Sequence, residues 1–168
     1  MKKFLIYLVV ALCCLGVAGC RATPAYADDV SAQAVAQAAM DTIGSSDDYM
    51  DGTSNYFSYY FEGEQAAALV DDCRLMFHRV ETNVNEIGVF HVTDKQRTAE
   101  VEQMVHKYLE QQTKYLRSFA ANYSPKDITK IDNAGVRVLG NYVISYILTP
   151  EDEQTVLGAV HDVLTQGK

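Results

Sequence analysis

The sequence predicts an α+β fold: a four-stranded antiparallel sheet in ββαββα order, with a long amphipathic helix, a C-terminal helix and an N-terminal helix packed on it. Three observations lead there. Two pairs of short β-rich runs are each joined by a turn signal. Each pair leads through a capping Thr into a run with helical periodicity. The run Tyr142 to Leu148 is apolar at both alternating sets of positions, so it must be a central strand covered on both faces. The two ββα units match in element order rather than in residue identity.

Taken in order, the elements rest on local signals. Val30 to Ile43 is rich in Ala and Gln, with Val35, Ala39 and Ile43 on one stripe, and reads as a helix stopped by Gly44. Ser45 to Asn55 is polar and turn-rich. An aromatic knot follows (Tyr56, Phe57, Tyr59, Tyr60, Phe61), then a short helical turn from Glu64 to Val70. Cys73 to Val80 and Ile87 to Val92 form an expected hairpin around Thr82-Asn83-Val84-Asn85. Thr93 with Gln96 reads as a capping box. It opens the long helix, whose apolar positions run from Val101 to Phe119 and which should end near Ala121.

Ser124-Pro125 starts a short helix to Ile131, with Ser as N-cap and Pro in the first helical position. Val136 to Leu139 and Tyr142 to Leu148 flank Gly140-Asn141, a two-residue hairpin loop. On the second of these strands Tyr142, Ile144, Tyr146 and Leu148 fall on one face, Val143 and Ile147 on the other. Thr149-Pro150 then caps the last helix, with Val156, Leu157, Val160, Val163 and Leu164 inward.

The N-terminus carries an address. Met1-Lys2-Lys3 precedes an uncharged apolar run, Phe4 to Val17, that is shorter than the roughly 20 residues needed to cross a bilayer. It ends in Val17-Ala18-Gly19-Cys20, which looks like a bacterial lipobox: cleavage falls between Gly19 and Cys20, and the Cys20 sulfur takes a diacylglyceryl group. The expected organisation is a signal peptide over 1–19, a tether over 20–29 and one domain over 30–168. The expected location is the outer face of the cell membrane. A competing site, Ala25-Tyr26-Ala27, would release a protein beginning at Asp28; the lipobox is preferred because it abuts the apolar run.

With 14 basic against 22 acidic side chains and a net charge of -8, the chain lacks the cationic field that nucleic acid requires. It also lacks a polybasic patch to hold it on anionic lipid, so the two acyl chains on Cys20 would have to supply the membrane contact. Of four cysteines, Cys13 and Cys14 leave with the signal and Cys20 is lipidated or removed. Cys73 alone remains, and an intramolecular disulfide is impossible in the mature domain.

Two segments carry a family resemblance. Asn85-Glu86-Ile87-Gly88-Val89-Phe90-His91-Val92-Thr93-Asp94 resembles a "DEIAVFKVKD" segment, and the stretch from Asn133 to Ile147 resembles "NAxVxxxGNYVxxxI", with Tyr123-Ser124-Pro125 between them. Both are typical of domain of unknown function 4358, a family of small lipoproteins from Gram-positive anaerobes. The similarity spans roughly Val70 to Leu148. It implies an exported single domain and supplies no catalytic residues. The Gln-rich long helix and the Tyr-rich segment before the first strand depart from the family pattern.

Candidate chemistry is sparse. Asp47 to Gly52 lacks two of the ligand positions of a calcium loop and reads as an acidic turn. Glu102, His106 and Glu110 share one helix face that should be solvated. His78 and His91 lie on the two strands of the first hairpin; pairing Val80 with Ile87 would make them diagonal neighbours on one face. Cys73 sits nearby, but two adjacent acids would raise its pKa rather than activate it. Tyr56, Tyr59 and Tyr60 could stack a sugar or pack in the core. His78, His91, Tyr56, Tyr59 and Tyr60 are the ligand-site candidates. No catalytic residue, metal site or cofactor is expected.

The expected function is a non-enzymatic, lipid-anchored binding or accessory module for an envelope protein partner or a small ligand. The alternatives are an envelope hydrolase using His with acidic partners, and an inhibitor or chaperone of another secreted protein.

Overall fold

The computed structural model describes residues 25–61 and 64–166. Gly19 and Cys20 lie outside the described residues. The side chains of Tyr56, Tyr59 and Tyr60 do too, although their backbone is helical.

The described residues form an α+β domain with six α-helices and five strands: α1 (Ala32–Met40), β1 (Tyr49–Asp51), α2 (Thr53–Tyr60), α3 (Glu64–Leu69), β2 (Val70–His78), β3 (Glu86–Val92), α4 (Thr98–Tyr123), α5 (Ile128–Asp132), β4 (Gly135–Leu139), β5 (Tyr142–Ile147) and α6 (Pro150–Thr165). The strands pair antiparallel throughout, in the order β1-β2-β3-β5-β4. The sheet therefore has five strands where the sequence predicts four. The added strand, β1, is a three-residue edge piece too short to show an alternation of its own. It exists because Tyr49, Met50 and Asp51 pair with His78, Phe77 and Met76 at the far end of β2.

β5 is paired on both sides and buried at every position. Tyr142, Ile144 and Tyr146 join Leu148 in a core with α1 and α6, whereas Val143 and Ile147 join a second core beneath α4. Along α6, Val156, Val160 and Leu164 are fully buried, with Leu157 and Val163 partly buried beside them. A strand that is apolar on both faces therefore does what its pattern requires: it divides two cores. Gly140 turns the β4–β5 hairpin at φ +63, and a Cβ there would come within 2.7 Å of Tyr26 Cβ.

Two helix starts differ from expectation. The Thr93 hydroxyl donates to the Leu69 carbonyl rather than capping a helix. Asp94 instead accepts from the Gln96 N–H and caps a single 3-10 turn, Lys95–Arg97, and α4 begins only at Thr98. Ser124 likewise donates its hydroxyl to the Thr82 carbonyl and the Asp127 carboxylate, so it ties two loops together and caps no N–H. In both cases the hydroxyl is held by a distant carbonyl to which it donates, and it does not accept the local helix N–H groups. Thr149 does cap α6, accepting from Asp152 N–H at 3.1 Å.

The strands and helices give the domain two ends. At one end lie the Ala25–Ser31 entry segment, the start of β2, the end of β3 and the Gly140 hairpin. Ala27 N–H donates to the Leu164 carbonyl and Tyr142 Oη donates to the Val30 carbonyl, which fasten the entry segment there. At the other end lie His78, the 80–85 turn and the end of α4.

Candidate functional site

The entry end holds a small recess of about 260 Å³ lined by Asp28, Asp29, Val30, Ser31, Asp71, Asp72 and His91. A β-bulge builds it. Val70 pairs with Val92 and Asp72 with His91, so Asp71 is an extra residue on β2 with no partner opposite. Released from the pairing, its carboxylate reaches His91 Nδ1 at 2.6 Å. A carboxylate can only accept, so in this contact Nδ1–H donates to Asp71. Nε2 is enclosed and has no hydrogen-bonding partner among the described residues. The imidazole rests against the Tyr142 ring at 4.9 Å between centroids.

Asp72 closes the other wall. Its Oδ2 accepts the Ala32 N–H at 2.7 Å, at the first turn of α1, and its Oδ1 pairs with Arg74 at 3.3 Å. A carboxylate at a helix N-terminus satisfies one of the free N–H groups and meets the positive end of the helix dipole. Ser31, on the rim, already uses its hydroxyl oxygen to accept from Ala34 N–H. The recess thus offers acceptors and negative charge, and its chemistry suits a cationic or donor-rich group.

His78 and His91 share a face of the sheet, but they are not neighbours. Met76 pairs with Ile87, and His78 bonds to the backbone of Asn85, whereas His91 lies opposite Asp72. The register differs from the expected one by four residues. Four is even, so the face is kept, and the two histidines move to opposite ends of the ladder, roughly 20 Å apart at about 3.3 Å per residue. His78 Nδ1 accepts the Val80 N–H at 3.1 Å and its ring meets Tyr49 edge-on, so it finishes a turn. Cys73 is buried, and burial pushes its thiol up to about 11, which makes it a packing residue. His106 and Glu110 are exposed on α4, beside a shallow recess of about 130 Å³. No group of three or more His, Cys, Asp or Glu side chains among the described residues could hold a metal ion.

Sequence reasoning picked out His91 but missed Asp28, Asp29, Asp71 and Asp72. The available signal was the doublet Asp71-Asp72 placed directly before an apolar strand. In the sequence it stands only as charge beside Cys73, because a bulge leaves no mark in hydropathy.

The segments that carry the family resemblance serve the architecture. Asn133 donates to the Leu148 carbonyl and to Glu153, and so pins the start of α6. Glu153 also accepts from Arg137 and from Tyr146 Oη. Gly135 leaves the room that Tyr146 Oη occupies, since a Cβ there would be 2.5 Å from it.

The model of the family described as Domain of unknown function (DUF4358) matches residues 43–148, well over half of the chain. The chain belongs to the DUF4358 family. The match takes in all five strands and α4, together with Asp71, Asp72 and His91. It leaves out α1, α6 and the Asp28–Ser31 wall of the recess. No curated protein and no solved structure matches the chain. No helix among the described residues is long and apolar enough to cross a membrane.

Proposed function

We propose that this DUF4358 member is an envelope lipoprotein, held at the outer face of the cell membrane by a diacylglyceryl group on Cys20. Its domain is a non-enzymatic module that binds a ligand or partner of cationic or donor-rich character. The observation that carries the anchor is the lipobox directly after the apolar run. Ala25 follows Cys20 by five residues, and at about 3.5 Å per extended residue the entry end stays within roughly 20 Å of the bilayer. The recess at Asp71 and His91 would then face the membrane-proximal space. Its lining has four carboxylates and no Lys or Arg, which supports the ligand class.

Metabolic labelling with an alkyne-tagged fatty acid tests the anchor. Label is expected on the wild-type protein and not on Cys20→Ala; an unlabelled wild-type chain beginning at Asp28 would instead establish release after Ala27. A thermal-shift screen of the full chain with amines, basic peptides and divalent cations tests the recess. A ligand at a hundred times its Kd adds about 2.7 kcal/mol, and that gain should vanish in Asp71→Asn. A flat response from a folded protein to every cationic probe would remove the ligand class and leave the anchor standing.

The Asp71–His91 pair also favours, as a second reading, a hydrolase in which Asp71 orients His91 as a general base. Against it, Nε2 is enclosed and no hydroxyl or thiol among the described residues is bonded to it. Turnover of any ester, amide or glycoside substrate that is lost in His91→Gln would establish this reading.

A further inference from the structure

A second titratable group lies apart from the recess and is used by nothing described so far. Glu86, the first residue of β3, is about 1% exposed and sits in the core between the sheet and α4. Its two carboxyl oxygens both reach α4: Tyr108 Oη at 2.7 Å from Oε1, and Gln112 Nε2 at 3.2 Å from Oε2. Across the strands it faces Phe77 on β2 and Ile147 on β5. Among the described residues no Lys, Arg or His forms an ion pair with it, and the titratable side chain against it is Tyr108.

Both protonation states of such a carboxyl can be hydrogen-bonded here, but they differ in cost. When it is neutral, Oε1–H can donate to the Tyr108 oxygen while Gln112 donates to Oε2. When it is ionised, Tyr108 and Gln112 both donate to it, yet a full negative charge stays in the core with no counter-charge. Two neutral donors do not offset that desolvation. Burial accordingly pushes this carboxyl up to about 7 against an ordinary 4.5, with the two hydrogen bonds pulling the other way. Opening α4 away from the sheet would hydrate the charge.

We propose that Glu86 is a proton-operated latch between β3 and α4, closing the helix onto the sheet when protonated and loosening it when ionised. The direction follows from linkage. In the open form Glu86 has its ordinary affinity for protons, and in the closed form a higher one, so closure is favoured below the open-form value. It weakens as pH rises and levels off above the closed-form value. Over the whole span, from well below pH 4.5 to well above pH 7, the closed-to-open ratio falls by roughly 300-fold at most. α1 and α6 lie on the opposite face of the sheet and contact neither Glu86 oxygen, so they should not follow. This inference is independent of the anchor and of the recess.

Hydrogen exchange of the full chain, read by mass spectrometry between pH 5 and 8 and corrected for the intrinsic pH dependence of exchange, tests it. Peptides from α4 around Tyr108 and Gln112 should lose more protection as pH rises than those from α1 and α6, which follow the global stability alone, and Glu86→Gln should abolish that difference. Equal loss on both faces would mean a global stability effect and overturn the latch; so would an α4 response that survives in a folded Glu86→Gln. Should that variant fail to fold, a ¹³C-carboxyl titration of wild-type Glu86 decides: a midpoint near neutrality supports the proposal, and one at or below 5 overturns it.

Discussion

Asp71 is the residue on which the recess depends. Because it is the extra residue of a bulge, its carboxylate is free of the β2–β3 ladder and meets His91. Deleting it would restore an unbroken ladder and remove the ion pair, so the deletion should cost the recess its ligand response while the sheet persists by circular dichroism. Two other residues give plain stability tests. Tyr142→Phe leaves the Val30 carbonyl without its 2.6 Å donor, and urea denaturation should show a loss of about 1–2 kcal/mol. Gly140→Ala forces a Cβ onto a positive φ and toward Tyr26, with an expected loss of about 1–2 kcal/mol by the same measurement. Glu86 adds a pH term to all of them. Its folded pKa is raised, so the stability it contributes is full below about 4.5 and is lost as pH rises to about 7. The sum is about 3 kcal/mol at most, and Glu86→Gln should reduce that slope in urea midpoints taken from pH 4.5 to 8.

At the scale of elements, the legible ones were those whose signals are local and repeated. α4 shows helical periodicity over many turns, and its Val101, Val105, Tyr108 and Leu109 are the buried positions. α6 has a Thr cap, a Pro in its first turn and three acids there, all at one terminus. Thr149→Ala should therefore cost about 1 kcal/mol, measurable as a shift in urea midpoint. What went unread was local sequence redirected by a distant partner. Thr93 and Ser124 have the composition of caps, but their hydroxyls donate to the carbonyls of Leu69 and Thr82 from distant segments. β1 is a strand only because β2 extends beside it. The β2–β3 register departs from the one the turn predicts because β2 carries a bulge at one end and His78 terminates it sooner at the other.

Over the whole molecule, one sheet serves two cores, with α1 and α6 over one face and α4 with its neighbours over the other. Neither core can be lost without exposing a face of β3 and β5. Unfolding by urea should consequently be a single cooperative step, with far-UV circular dichroism and tyrosine signals coinciding at a pH where Glu86 is neutral. Separate transitions would show that the layers are independently stable.

The sequence alone determined the helix-and-sheet class, the central doubly apolar strand, the Gly140 hairpin and the family resemblance, because each is written in neighbouring residues by period, turn chemistry or motif. It also contains the apolar run and the Val17-Ala18-Gly19-Cys20 string on which the proposed export and anchoring rest. The tertiary structure alone decided that Asp71 meets His91, that Asp28 and Asp29 wall the same recess, and that Glu86 has no counter-charge among the described residues. Those facts depend on which residues from distant parts of the chain face one another. A single-residue bulge or a four-residue shift in register changes such encounters while leaving the hydropathy pattern untouched.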